Sequence, residues 1–271
     1  MPKHYLPIQQ QLTIIDQYQQ QVASALKGRP PGVLNVQINH HYPQYYYKVR
    51  KEDARGIYIR KENLSFVTDL AQKDYEEKFL KAAEQEKSVL LQLLEQGLQR
   101  SASKMYQSLS APYEKLTEAR RALVIPYVLP DDLYVSTWLE TVYDRKPFYP
   151  EDPKIYTKEG RRVRSKSEKI IADTLDRLQI PYLYECPFIL SSHKTIFPDF
   201  TLLDKEERIV VLLEHFGLMT DQSYCLNSMD KRDQYLKAGF VPGYDLLCTM
   251  EGGRHTLDTR SLEALLTARF S

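Results

Sequence analysis

Cysteine is scarce in this sequence, and long hydrophobic runs are absent from it. The three cysteines, Cys186, Cys225 and Cys248, form no C-x-x-C pair, which argues against a disulfide scaffold or a cysteine-rich zinc site and for a reducing compartment. The longest aliphatic run, Ile209 to Leu213, is far too short to cross a bilayer. The amino terminus has no apolar segment of signal-peptide length. We therefore expect a cytoplasmic protein with no membrane partner.

An excess of charge of either sign is also lacking. The 37 lysines and arginines nearly balance the 36 aspartates and glutamates, so the overall charge does not indicate nucleic-acid binding and any such indication must be local. The sequence contains no G-x-x-x-x-G-K-[ST], G-x-S-x-G or H-E-x-x-H motif. The usual sequence signatures of several other enzyme classes are therefore missing from it. Its length of 271 residues suits one large domain, or a core of ordinary size with an appendage.

The first half alternates between helical and strand-like periodicity. Apolar residues at helical spacing predict a first helix, and alternating apolar and polar residues then predict three short strands. A longer helical stripe follows, and proline favours a second helix starting near Pro112. The predicted segments are an N-terminal helix over 1–30, a β-meander over 31–62, a helical hairpin or arm over 63–125, and a linker with a short helix over 126–150. Prolines place the domain boundary at about Arg145 to Asp152.

The remaining segment, 151–271, has a different order of periodicities. It predicts one helix, three strands, a second helix closed by Gly239 and a last strand that is apolar nearly throughout and so expected to be central. The predicted ranges are Ser165 to Leu178, Pro181 to Pro187, Phe197 to Leu203, Ile209 to Glu214, Leu226 to Ala238 and Tyr244 to Thr249. The fold class is therefore α/β or α+β.

Two carboxylates are prominent in this segment. If the turn between the second and third strands is symmetric about Glu206 and Glu207, Asp199 and Glu214 are neighbours on adjacent strands. Like charges in that position are destabilising unless a cation lies between them, and Mg²⁺ and Mn²⁺ prefer carboxylate oxygens. The alternative is a shifted register that leaves two unrelated exposed acids.

Two further features flank the first helix of the segment. Glu168 shares an apolar helix face and so points towards the interior or a cleft, but Ser165 to Glu168 also forms an S-x-x-E capping box, and both roles are compatible. The run from Lys158 to Lys169 contains six basic and two acidic residues. It is either a solvated face or a phosphate-binding segment at a helix N-terminus. Its candidate phosphate contacts are Arg161, Arg162, Arg164 and Lys166.

Four sequence elements in order resemble the PD-(D/E)XK, or restriction-endonuclease-like, nuclease superfamily. The similarity is greatest to bacterial and phage members with a V-R-S-K-S-E, P-D-F, E-H-x-G and K-x-x-x-Y pattern, and it covers roughly residues 131–255. The matching elements are Thr157 to Glu168, Phe197 to Phe200, Leu213 to Gly217 and Lys231 to Tyr235 with Gly239. Each element alone is weak, but four in this order are specific.

The resemblance implies an αβββαβ core and metal-dependent hydrolysis of phosphodiester bonds. It implies that Asp199 and Glu214 hold Mg²⁺ or Mn²⁺, with Glu168 supporting the ion directly or through water and His215 as a possible further ligand. The family's usual E-x-K lysine is replaced by Phe216. Lys231, with Tyr235 one helical turn later on the same face, is the expected substitute.

Three functions remain open from the sequence. The first is a DNA endonuclease or nickase that uses Mg²⁺ or Mn²⁺. The second is a nucleic-acid-binding module with a degenerate site, which would bind DNA in a salt-sensitive way without cutting it. The third is an assembly protein in which the helical arm mediates self-association or binds a protein partner.

Overall fold

A computed structural model describes residues 6–190 and 193–270 of the chain and shows a mixed α/β protein. Within these residues the chain divides into two compact units between Tyr134 and Val135. The division falls inside a helix, Asp131–Leu139, and so precedes the boundary predicted from prolines at Arg145 to Asp152. Among the described residues, no helix is both long and apolar enough to span a membrane.

The first unit, residues 6–134, combines helices with a small antiparallel sheet. Its elements are α1 (Ile8–Leu26), β1 (Val33–Asn39), β2 (Tyr42–Lys48), β3 (Ile57–Tyr58), α2 (Leu64–Glu95), α3 (Ala102–Glu114) and the short α4 (Glu118–Arg121), with α5 (Asp131–Leu139) spanning the division. Helix α2 packs against both α1 and α3. Its aromatic residues Tyr75 and Phe79 are fully buried, so this unit has an apolar core of its own.

The helical hairpin predicted over 63–125 is present, but the prediction that Pro112 begins its second helix is wrong. Pro112 lies near the end of α3. The helix begins after Ser101, whose hydroxyl accepts the Ser103 N–H at 3.2 Å. Proline removes one helical hydrogen bond, and the burial of Met105 and Leu109 on the same helix offsets that cost.

The β-meander predicted over 31–62 is also present. Strand β2 pairs with β1 and β3, and the sheet order is β1-β2-β3. Only two residues, His40 and His41, join β1 to β2, and both have positive φ. This matches the tightest hairpin connections, which require left-handed backbone at both central residues. Because the turn is this tight, β2 begins at Tyr42, directly after His41.

The second unit, residues 135–270, is built on a four-stranded sheet with the order β11-β10-β9-β6. Strands β10 and β11 are parallel, and the other neighbours are antiparallel. The elements are β4 (Ile155–Tyr156), β5 (Arg162–Val163), α6 (Lys166–Arg177), β6 (Tyr182–Tyr184), β7 (Phe188–Ile189), β8 (Thr195–Ile196), β9 (Phe200–Asp204), β10 (Ile209–Phe216), α7 (Gln222–Lys237), β11 (Leu246–Met250) and α8 (Thr259–Phe270).

The main elements follow the predicted order of helix, three strands, helix and strand. The β4–β5 and β7–β8 hairpins were not predicted, because two-residue strands show no periodicity, and helix α8 was not predicted either. The prediction that the last strand is central is wrong: in the described sheet β11 is an edge strand. Its apolar run has another cause, since Leu246 and Leu247 belong to different hydrophobic clusters on the two faces of the sheet.

Strand β10 divides its side chains between these two clusters. Val211 and Leu213 pack with residues of α6 and α8 on one face. Leu212 packs with Tyr235 of α7 on the other. Because successive strand residues face opposite ways, Glu214 lies on the α7 face and His215 on the α6 face.

A buried ion pair attaches the end of α8 to the sheet. Arg269 Nη1 lies 2.6 Å from Asp204 Oδ2, and both residues are buried. Removing one partner of a buried pair leaves the other charge uncompensated, at a cost of about 3–5 kcal/mol. We expect Arg269→Met to lower the free energy of unfolding in urea by about that amount. The matched variant is Arg177→Met, which removes the exposed pair with Glu263; an equal loss in the two variants would contradict this assignment.

Candidate active site

The β9–β10 hairpin brings Asp199 and Glu214 together. Leu213 pairs with Phe200 in the antiparallel register, so one further step places Glu214 opposite Asp199, as predicted. Asp199 lies immediately before β9 and not inside the strand, while Glu214 lies two residues before the end of β10 and not at its end. The His215 N–H donates a hydrogen bond of 2.7 Å to Asp199 Oδ2. This bond fixes the Asp199 carboxylate beside the strand that carries Glu214.

Helix α7 adds a lysine and a tyrosine to the same carboxylate. Lys231 Nζ lies 2.7 Å from Glu214 Oε2, and the Tyr235 hydroxyl donates to Glu214 Oε1. The ammonium also donates to the Phe197 carbonyl at 3.3 Å. Two residues four apart on a helix share a face, so both side chains reach the strand residue below them. The structure thus places together the four residues Asp199, Glu214, Lys231 and Tyr235.

Helix α7 begins earlier than predicted, and its added turn contributes a residue to the site. Asp221 caps the helix by accepting the Tyr224 N–H at 2.7 Å. The Tyr224 hydroxyl accepts the Gly217 N–H at 3.1 Å. Tyr224, Ser228, Lys231 and Tyr235 are spaced 4-3-4 along one helix face, and this spacing is the sequence signal that could have identified Tyr224.

The site combines buried charges of both signs. Burial and the nearby Glu214 charge together raise the pKa of Asp199 well above its usual value. Burial acts to lower the pKa of Lys231, but the charges of Glu214 and Asp199 outweigh it and the pKa is raised. Burial and the Glu214 charge also raise the pKa of Tyr235. Lys231 therefore remains an ammonium and Tyr235 a neutral donor near neutral pH.

Glu168 acts first as a helix cap. The Glu168 N–H donates to Ser165 Oγ at 3.0 Å, and Glu168 Oε2 accepts from the Arg164 N–H at 2.8 Å. The Tyr184 hydroxyl donates to the same oxygen at 2.6 Å. The Ser165 hydroxyl therefore caps α6 as predicted, whereas the Glu168 carboxylate bonds to the N–H of Arg164 and not to that of Ser165. Glu168 is also close enough to Asp199 for its charge to contribute to the raised pKa of that residue.

His215 lies on the opposite face of β10 from Glu214. Its Nδ1 is 2.9 Å from Thr249 Oγ1, and its Nε2 is 3.5 Å from Glu251 Oε1. Glu251 in turn accepts the Ser167 hydroxyl at 2.9 Å. The regular strand therefore does not bring the His215 imidazole to the carboxylate pair, and the residue contributes to the site through its backbone N–H.

The arginines predicted to contact phosphate bind other parts of the protein. Arg164 forms two bonds to the Glu185 carboxylate, at 2.7 and 3.1 Å, and its guanidinium lies over the Phe148 ring. The Arg162 guanidinium carbon also lies near the Phe148 ring, 4.3 Å from its centroid. The Arg161 guanidinium carbon lies 4.4 Å from the centroid of the Tyr182 ring. Lys166 is the member of the predicted set whose side chain is exposed. The three arginines thus have partners within this unit that lie far from them in sequence, and the prediction that they contact phosphate stays a prediction.

Asp199 and Glu214 supply carboxylate oxygens, the donor atoms that a divalent cation such as Mg²⁺ prefers. Within the described ranges, no group of three or more His, Cys, Asp or Glu side chains is placed to hold one metal ion, so Glu168 is not brought in as a third direct ligand. Mg²⁺ needs only one or two carboxylates when phosphate and water supply the rest. Each ionised carboxylate has about four acceptor positions, so Glu214 retains capacity beside its bonds to Lys231 and Tyr235.

Comparisons with known proteins add no family assignment. No protein-family model matches the chain, and neither the curated proteins nor the solved structures contain a match.

The three cysteines named above are free thiols. Burial and the charge of Glu214 raise the pKa of Cys248 to about 11, which keeps this neighbour of the site protonated.

Proposed function

We propose that residues 135–270 form a metal-dependent nuclease of the PD-(D/E)XK type, which hydrolyses phosphodiester bonds in DNA as an endonuclease or nickase. The observation that carries the proposal is the convergence of Asp199, Glu214 and Lys231. Two carboxylates on paired strands with an ammonium 2.7 Å from one of them supply both the anionic ligands and the cation that phosphoryl chemistry requires.

The carboxylates of Asp199 and Glu214 would hold Mg²⁺ or Mn²⁺. Such an ion polarises a phosphoryl oxygen and lowers the pKa of bound water. The pKa of Asp199 is raised first by burial and then by the charge of Glu214, so ionising both carboxylates in this site is unfavourable. A divalent cation removes that cost, and this favourable exchange supports the metal assignment.

Lys231 supplies from helix α7 the ammonium that the family's lysine supplies from the strand. Phe216, two residues after Glu214, is buried on the same face of β10 and packs where the E-x-K lysine would emerge. The Lys231 side chain extends from α7 and is 32% exposed, so its ammonium can contact both Glu214 and a bound phosphate. Tyr235, fully buried, orients the Glu214 carboxylate from the other side.

The direct test is incubation of the chain with supercoiled plasmid. With Mg²⁺ or Mn²⁺ we expect conversion to nicked or linear DNA, and with EDTA none, because the carboxylate pair needs the cation. Agarose electrophoresis measures both products. Cleavage in EDTA at the rate seen with Mn²⁺ would contradict the metal assignment.

A second candidate function is nucleic-acid binding by a degenerate site. It is favoured by one observation: both oxygens of Glu214 already accept hydrogen bonds from Lys231 and Tyr235. An ammonium in that position neutralises the carboxylate without a metal ion. This function predicts salt-sensitive DNA binding with no cleavage under any divalent cation.

A further inference from the structure

The β1–β2 hairpin of the first unit projects beyond the helices that support it. Leu34, near its base, is 1% exposed, and the Tyr47 ring lies 5.6 Å from the Phe66 ring of α2. Residues 37–43, which we term the hairpin tip, are all exposed, and Tyr42 reaches 76% exposure. A two-stranded ribbon whose end has no packing partner among the described residues offers both of its faces to an external ligand.

One face of this ribbon carries a regular set of amides and tyrosines. Because paired strand residues share a face, the register groups side chains opposite to those of Leu34 and Tyr47. The pairs are Gln37 with Gln44, Asn39 with Tyr42, and Tyr46 with Tyr58. We call these six residues the amide–tyrosine face. The Tyr46 hydroxyl donates to Gln44 Oε1 at 2.9 Å, and the Tyr46 and Tyr58 rings meet edge to face at 5.6 Å, which orders one end of the face.

The two strands of this hairpin carry charge of one sign, and the nearest acids in the sequence are Glu52 and Asp53, whose carboxylate accepts the Arg50 N–H at 2.8 Å. The sequence from Pro30 to Lys51 contains no Asp or Glu. Lys48 continues the amide–tyrosine face along β2, and Arg50 and Lys51 follow at exposed positions. A pair of strands with cations and no carboxylates of its own complements a polyanion, and phosphate contacts from such cations position a protein on nucleic acid.

We propose that the amide–tyrosine face binds duplex DNA, with the ribbon lying in the major groove. The major groove, about 12 Å wide, admits a two-stranded β-ribbon, and Asn and Gln side chains can bond to both hydrogen-bonding groups of an adenine edge. Gln37, Asn39 and Gln44 supply these amides, while Lys48 and Arg50 reach the phosphates. The inference rests on the proposed function only in its choice of DNA as the partner, because the groove geometry and the charge are properties of the ribbon itself.

The test is fluorescence anisotropy with a labelled duplex in EDTA, where hydrolysis cannot occur. We expect the double variant Gln37→Ala/Tyr42→Ala to bind at least about tenfold more weakly than the wild-type chain, since one lost bidentate base contact has about that effect. Both positions are exposed, so the fold is retained, and circular dichroism checks this. The matched control is Ile38→Ala, on the opposite ribbon face and 63% exposed, which should bind as the wild type does.

Other outcomes would overturn the proposal. These are equal affinities of the double variant and the wild type, tighter binding of a single strand than of the duplex, and self-association of the chain through this face without DNA binding. The two proposals fail separately. If the chain binds duplex through this face but cuts no plasmid with Mn²⁺, the DNA-binding proposal stands and the nuclease proposal fails. If the chain cuts plasmid and the double variant binds duplex as tightly as the wild type, the nuclease proposal stands and the DNA-binding proposal fails.

Discussion

Asp199→Asn is expected to reduce plasmid cleavage with Mg²⁺ by at least about a hundredfold, because it removes an anionic ligand from a site that would otherwise hold the cation. The amide keeps an oxygen that can accept the 2.7 Å bond from the His215 N–H, so the hairpin geometry is preserved. Glu214→Gln should have an effect of similar size. The measurement is the initial rate of loss of supercoiled plasmid at saturating enzyme.

Stability separates this loss of activity from unfolding. The pKa of Asp199 is raised by burial and by Glu214, so ionisation of this group disfavours the folded state as pH rises through the folded-state pKa. Asp199→Asn removes that ionisation and should unfold at the same urea concentration as the wild type or a higher one at pH 7. Glu214→Gln leaves the Lys231 ammonium with a neutral partner and should be less stable, which makes Asp199→Asn the cleaner variant.

The control for both variants is Glu206→Gln, which neutralises an exposed acid in the turn of the same hairpin. It should cut plasmid at the wild-type rate. If Asp199→Asn and Glu206→Gln cut equally fast, the carboxylate pair is not the metal site and the proposed mechanism is wrong.

The meeting of Asp199 and Glu214 was predictable because strand geometry is simple. Side chains alternate along each strand, and a symmetric turn between two strands determines the register once its midpoint is known. The midpoint between Glu206 and Glu207 gave the observed pairing. The exact ends of the strands were harder to predict. Hydrogen bonds to neighbouring strands determine them, and those neighbours are distant in sequence.

Roles that depend on side-chain direction were not predictable in the same way. Glu168 could cap α6 or face the site, and only the structure shows its bonds to the Arg164 N–H and the Tyr184 hydroxyl. The tertiary partners of the basic run could not be identified from the sequence either. Glu185 and Phe148, which hold Arg164, lie on either side of it in sequence, each separated from it by more than a helical turn.

Lys231 is the residue on which the two candidate functions differ most. We expect Lys231→Ala to lower the cleavage rate by about a hundredfold or more, as loss of a group that stabilises transition-state charge does, while the Kd for duplex DNA in EDTA changes by less than about threefold. The matched control is Lys237→Ala, which removes an exposed ammonium from the last turn of the same helix and should leave both quantities unchanged.

The Mg²⁺ dependence of this variant distinguishes two roles for the ammonium. Lys231 is bonded to Glu214, a proposed metal ligand, so its removal also changes the charge that the cation meets. If Lys231 acts on the transition state, the rate defect persists when Mg²⁺ is saturating, because the metal is then bound in both proteins. If excess Mg²⁺ restores the wild-type rate, Lys231 only tunes metal affinity and is not a catalytic residue. A wild-type chain that binds DNA but never cuts it would instead make Lys231 the permanent counter-ion of Glu214, since an ammonium already bonded to that carboxylate neutralises it without a metal ion.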